Sequence, residues 1–150
     1  MNRLNLPEFE VRTQVQHNQE FIYDQFRKKY VLLTPEEWVR QHFLHYLVHH
    51  LGYPRTLVKV ESGLEVNKLS KRTDILVYDQ QVKPHLLVEC KASHVALSGK
   101  TFDQLSAYNQ AIKAKYLVIT NGLKHYCCLM DYQQNSYQFQ EAMPEYSMSQ

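Results

Sequence analysis

Arg72-Thr73-Asp74-Ile75-Leu76-Val77, a polar break at Asp79-Gln80-Gln81-Val82-Lys83-Pro84, then Leu86-Leu87-Val88-Glu89-Cys90-Lys91: this stretch decides the fold. Two apolar runs around a short polar loop predict a β-hairpin. Side chains alternate between the faces of a strand, so Glu89 and Lys91 share one face and Cys90 joins Val88 on the other. Asp74 opens the first strand, where antiparallel pairing brings it beside Glu89. Two carboxylates and an ammonium then converge at one end of an apolar hairpin.

Carboxylates gathered at one place repel unless a cation lies between them. Sites of this kind suit Mg²⁺, which takes one or two protein carboxylates, several waters and substrate phosphate. A lysine alongside stabilises charge growing on a phosphate or lowers the pKa of an attacking water. Asp…Glu-x-Lys is therefore a reasonable phosphodiester-cleaving centre. The plainer alternative is an exposed salt bridge on a strand.

Outward from the hairpin, Asn67-Lys68-Leu69-Ser70-Lys71-Arg72 is a basic loop leading into Asp74. Lys68, Lys71 and Arg72 are candidates for contact with a phosphate backbone; a solubilising loop is the alternative. Before it, Leu57-Val58-Lys59-Val60-Glu61 and Leu64-Glu65-Val66 read as a strand broken at Ser62-Gly63. The clearest helix starts at Thr34, an N-cap followed by Pro35, with Glu37 completing a capping box. Its apolar positions run from Trp38 to Leu51 at helical spacing, and Gly52 and Pro54 end it. His42, His45, His49 and His50 read as partly exposed on that helix, without an HExxH pattern.

Beyond Lys91, Thr101 caps a second helix with Gln104 in the box, and Gln104 and Tyr108 share a face. Lys115-Tyr116-Leu117-Val118-Ile119-Thr120 is a buried strand that turns at Asn121-Gly122 into another strand at 124–132, with an edge strand at 136–139. Toward the N-terminus, Phe9-Glu10-Val11-Arg12 and Glu20-Phe21-Ile22-Tyr23-Asp24 are strand candidates, and Arg27-Lys28-Lys29 reads as a solvated turn, with phosphate contact as the sharper alternative. The order is helix, three strands, helix, two or three strands. The second helix links parallel strands by a right-handed crossover. The predicted fold is α/β, a mixed central β-sheet flanked by helices. It forms a single domain over residues 1–150, with a core at 34–132, an extension at 1–33 and a frayed tail at 141–150.

With 150 residues, 44% hydrophobic and 21% charged, the chain has the composition of a globular domain with a real core. A net charge of +2 gives no large basic field. No apolar run reaches the length of a membrane span, and Met1 to Pro7 has no signal-peptide core, so a cytoplasmic protein without a membrane partner is expected. Cys90, Cys127 and Cys128 then read as reduced thiols in strands.

Four features, in this order, carry a resemblance: Thr34-Pro35-Glu36-Glu37-Trp38-Val39-Arg40-Gln41, Arg72-Thr73-Asp74-Ile75-Leu76-Val77, Val88-Glu89-Cys90-Lys91 and Gln104-Leu105-Ser106-Ala107-Tyr108. The chain resembles the PD-(D/E)xK nuclease superfamily, and most of all the N-terminal nuclease domain of the restriction subunit of type I restriction–modification enzymes. Thr73 stands where the superfamily's name has proline. The resemblance implies a restriction-endonuclease-like core and a metal-dependent DNA endonuclease using Mg²⁺, with Mn²⁺ as substitute. Asp74 and Glu89 would be metal ligands, joined by the backbone carbonyl of Cys90. Lys91 would be the catalytic lysine, and Gln104 and Tyr108 would position the site or the DNA. An acid of the first helix, Glu37 or else Glu36, would add to the metal site.

The type I subunit carries a helicase motor, and this sequence has no Gly-x-x-x-x-Gly-Lys-Ser/Thr phosphate loop. A nuclease active by itself or as a homodimer, or one recruited by a separate motor or specificity subunit, is expected. The alternative is a non-catalytic nucleic-acid-binding or assembly module that retains the fold.

Overall fold

In the computed structural model the elements run β1 (Thr13–Gln16), β2 (Gln19–Asp24), β3 (Lys29–Leu32), α1 (Pro35–His49), β4 (Val58–Val66), β5 (Leu69–Tyr78), β6 (Pro84–Cys90), α2 (Gly99–Ile112), β7 (Tyr116–Thr120), β8 (His125–Asp131) and β9 (Ser136–Gln140). The structure describes residues 1–66 and 69–148, with the backbone path alone at 61–66 and 69–72. Lys68, and the side chains of Lys71 and Arg72, lie outside the described residues.

A six-stranded mixed sheet has the order β4-β5-β6-β7-β8-β9, and β1-β2-β3 form a separate three-stranded sheet. The hairpin of β5 and β6 sits centrally, with Ile75 opposite Val88 and Leu76 opposite Leu87. Strand β7 joins β6 in parallel after the α2 crossover, and the remaining pairs of the large sheet are antiparallel. The hairpin is apolar on both faces because each face has a helix to cover it. Val39, Phe43, Leu44 and Leu47 of α1 share a buried cluster with Ile75, Val77, Leu86, Val88 and Cys90. Leu105 and Tyr108 of α2 share the other cluster with Leu76, Leu87, Leu117 and Ile119. Each fully buried aliphatic or aromatic side chain contributes roughly 1.5–3 kcal/mol relative to exposure. This is the α/β architecture, a mixed sheet flanked by helices, that the hairpin and crossover predict, and the restriction-endonuclease-like core that the resemblance implies.

Several local expectations are corrected. Strand β4 runs unbroken through Ser62-Gly63, because its pairing with β5 continues past the Val60↔Ile75 position. Residues 9–12 form no strand; Phe9 stacks on His45 at 4.0 Å. The first strand follows at β1 and turns into β2 through His17 and Asn18, both at positive φ. Arg27 is no solvated residue but is drawn into ion pairs, and Lys29 opens the unforeseen strand β3. Helix α2 is capped by Ser98 instead of Thr101, whose N–H donates to the Ser98 hydroxyl. His42 and His45 are buried, not partly exposed. The stretch expected to fray is tied down in part: Tyr146 N–H donates to Leu51 O at 2.8 Å, and the Tyr53 hydroxyl donates to Pro144 O at 2.6 Å.

Candidate functional site

The register that sets Ile75 against Val88 makes Asp74 and Glu89 the next opposed positions. By alternation they share the face of Leu76 and Leu87, the face of α2. Asp74 is buried, and both its oxygens accept bonds: Oδ2 from the Cys90 N–H at 2.8 Å, Oδ1 from Arg40 Nη2 at 2.9 Å. Lys91 Nζ stands 3.4 Å from Glu89 Oε1, and its N–H donates to Thr120 O at 2.8 Å, which ties it to β7. Tyr108 of α2 is buried under the same end, while Gln104, one turn earlier, is exposed. The structure thus brings Asp74, Glu89, Lys91 and Tyr108 to one end of the hairpin.

The electrostatics follow from this crowding. Burial, and next the charge of Glu89, push the Asp74 carboxyl up to about 7, against the opposing pull of Arg40 and the Cys90 N–H. Burial and Glu89 also raise the Tyr108 hydroxyl. The Cys90 thiol, on the α1 face, is held well above its ordinary range by burial; its place here rests on its backbone.

A second set of charges lines the first two turns of α1. Thr34 caps the helix by accepting the Glu37 N–H at 3.0 Å. The Glu37 carboxylate accepts from Arg27 at 2.9 Å, Arg40 at 3.0 Å and Gln41 at 3.1 Å. Gln41 also donates to Asp24 at 3.0 Å, and Arg27 pairs with Asp24. Burial favours the neutral Asp24 acid, but the bonds from Arg27 outweigh it and hold the acid below its usual range. Arg40 joins this set to the hairpin: its Nη2 lies 3.1 Å from Glu36 Oε1 and 2.9 Å from Asp74 Oδ1. Glu36 and Glu37 therefore meet Asp74 through a guanidinium. The sequence assigns no site role to Arg40, Asp24 or Gln41, and reads Arg27 only as part of a basic turn. For Arg40 a signal existed, since it lies three and four residues after Glu37 and Glu36 on a helix.

Beside these groups lies an open groove of about 600 Å³, lined by Arg27, Lys29, Glu36, Glu37, Arg40 and His94 among others. Among the described residues there is no group of three His, Cys, Asp or Glu side chains able to hold a metal alone. Asp74, raised first by burial and next by the charge of Glu89, and Glu89 itself are the two carboxylates this end of the hairpin offers to a cation. Each bonded oxygen of Asp74 retains a further lone pair.

Comparison with known proteins places the chain. No curated protein matches its sequence. Among solved structures, a fragment of a putative HsdR subunit of a type I restriction enzyme from Vibrio vulnificus YJ016 superposes with a TM-score of 0.54 at 20% identity. The match covers 75% of this chain and 24% of that one, so it shows the shared fold over a quarter of the relative's length. The sequence pattern of the family described as type I restriction enzyme R protein N terminus matches residues 35–144. The chain, with its hairpin, its crossover and both helices inside that match, belongs to the family of type I restriction enzyme R protein N-terminal domains.

Proposed function

We propose that the protein is a metal-dependent DNA endonuclease that hydrolyses phosphodiester bonds. The observation that carries this reading is the opposition of Asp74 and Glu89 at the hairpin end, with Lys91 at 3.4 Å from Glu89. Asp74 and Glu89, with the Cys90 carbonyl, are the residues to hold Mg²⁺, and Mn²⁺ in its place. The ion, when bound, supplies charge for the phosphate and acidity for water. Lys91 orients the attacking water and stabilises the pentacoordinate phosphate. Tyr108, whose hydroxyl is raised by burial and next by Glu89, and the exposed Gln104 on the same helix are proposed to position the site or the DNA. Lys68, Lys71 and Arg72 are proposed to receive the backbone phosphates, and either Glu36 or Glu37 to add an acid.

The test is cleavage of plasmid DNA with Mg²⁺ or Mn²⁺ by purified protein. Lys91→Ala should abolish cleavage while circular dichroism and thermal unfolding stay unchanged. Cleavage indifferent to Lys91 would remove the reading. We take DNA as the partner and propose that the protein acts in the cytoplasm, as a homodimer or beside a separate motor or specificity subunit.

A second reading has its own support. Both oxygens of Asp74 are already bonded, so the site is satisfied by protein groups. A non-catalytic nucleic-acid-binding or assembly module needs no more than that. Calorimetry separates the two: the nuclease takes up divalent metal and loses it in Asp74→Asn, whereas the module takes up none.

A further inference from the structure

Arg40 occupies a place that neither the hairpin motif nor the cap of α1 demands. Its guanidinium touches three carboxylates from two elements. Nη1 holds Glu37 at 3.0 Å, and Nη2 holds Glu36 at 3.1 Å and Asp74 Oδ1 at 2.9 Å. The other oxygen of Asp74 is committed to a strand N–H, which cannot move without breaking the hairpin. Oδ1 is therefore the oxygen more open to exchange, and a guanidinium has it. An arginine does not give up its proton, so its charge cannot be removed, only displaced.

Among the described residues, Asp24, Glu36, Glu37, Asp74 and Glu89 pair with Arg27, Arg40 and Lys91, so cations already stand against these acids. An ion arriving at Asp74 would meet Arg40 a few ångströms away, and like charges at that range repel strongly in a partly buried site. Arg40 has somewhere to go, since Glu36 and Glu37 keep hold of it when Asp74 is released.

We propose that Arg40 is the stand-in cation of this site: it neutralises Asp74 in the metal-free protein, yields Asp74 Oδ1 when Mg²⁺ enters, and by that exchange keeps Mg²⁺ binding weak. This rests on the metal-binding reading above. Arg40 is a positioning residue here, acting through Asp74.

The experiment is calorimetric titration of the whole protein with MgCl₂ at about pH 8.5, above the raised value of Asp74, on wild type, Arg40→Gln and Arg40→Lys. Arg40→Gln should tighten Mg²⁺ about tenfold, while Arg40→Lys, which retains the charge, should stay within about twofold of wild type. The direction is diagnostic, because damage to a structural residue loosens a site and does not tighten it. Where Arg40→Gln does not fold, the wild type decides. Its Arg40 guanidinium NMR resonances should shift with added Mg²⁺ at the calorimetric midpoint, and resonances that stay still overturn the proposal. Uptake by Arg40→Gln alone supports it in its strongest form. Wild type that binds Mg²⁺ while Arg40→Gln binds equally or less tightly overturns the exchange and leaves the nuclease reading standing. No uptake by either protein overturns both.

Discussion

The first two turns of α1 bury most of its charged and amide side chains, and the turns that follow bury most of its large apolar ones. At the front, Glu37, Arg40 and Gln41 are buried with their charges and amides paired to Asp24, Arg27 and Asp74. At the rear, Phe43, Leu44 and Leu47 are wholly buried against the apolar face of the hairpin. These apolar side chains are fixed by area removed from water, which depends little on pH or salt, while His45 among them carries a titratable ring. The front is fixed by charges that offset one another, and the desolvation of such pairs can exceed what their attraction returns. One helix therefore anchors the fold with one half and presents a reactive set of charges with the other.

The largest expected effect lies at the rear. Phe43→Ala should cost about 3–5 kcal/mol in urea unfolding, because the sealed cluster leaves a cavity. A loss below about 1 kcal/mol would erase the distinction between the two halves.

The next two effects are in pH and have opposite signs. Asp74 is raised in the folded protein from 3.8 to about 7. Its contribution is present below the unfolded value and is lost as pH rises toward and through about 7. Without metal, in EDTA, stability should fall between about pH 4 and pH 7 by up to a few kcal/mol, and Asp74→Asn should flatten that slope. His45, stacked on Phe9, is lowered by burial from 6.5 to about 4. Its contribution is present above pH 6.5 and is lost as pH falls through about 4. His45→Phe should make the protein more resistant to acid by about 1–2 kcal/mol at pH 4. Urea midpoints at several pH values check both. Equal slopes in all three proteins would mean that neither group differs between folded and unfolded chains.

The smallest effect is at the rim. The Glu36 side chain is 46% exposed, so Glu36→Gln should change stability by no more than about 0.5 kcal/mol, measured in the same way. A larger loss would extend the buried network to the surface.

The hairpin, the crossover and α1 were legible because each rests on a local rule. Continuous apolar runs at 75–77 and 86–88 around a polar loop set the strands, and Thr34-Pro35 with Gly52 brackets the helix. The opposition of Asp74 and Glu89 follows from register alone. What was not legible depended on contacts distant in sequence. Glu37 reads as half of a capping box, yet its carboxylate turns to Arg27, ten residues away. Arg40 reads as a helix-surface residue until β5 delivers Asp74, 34 residues later. The β1–β2 turn uses His17 and Asn18 instead of a glycine, so the usual hairpin signal was missing.

The six strands of the large sheet lie side by side in the order in which they leave the ribosome. Every strand finds its partner in its immediate predecessor, and only β7 must wait for an intervening helix. Chains whose contacts are near in sequence reach their native arrangement quickly. The sheet can therefore zip up from β4 toward β9 during synthesis, with one growing edge at any moment.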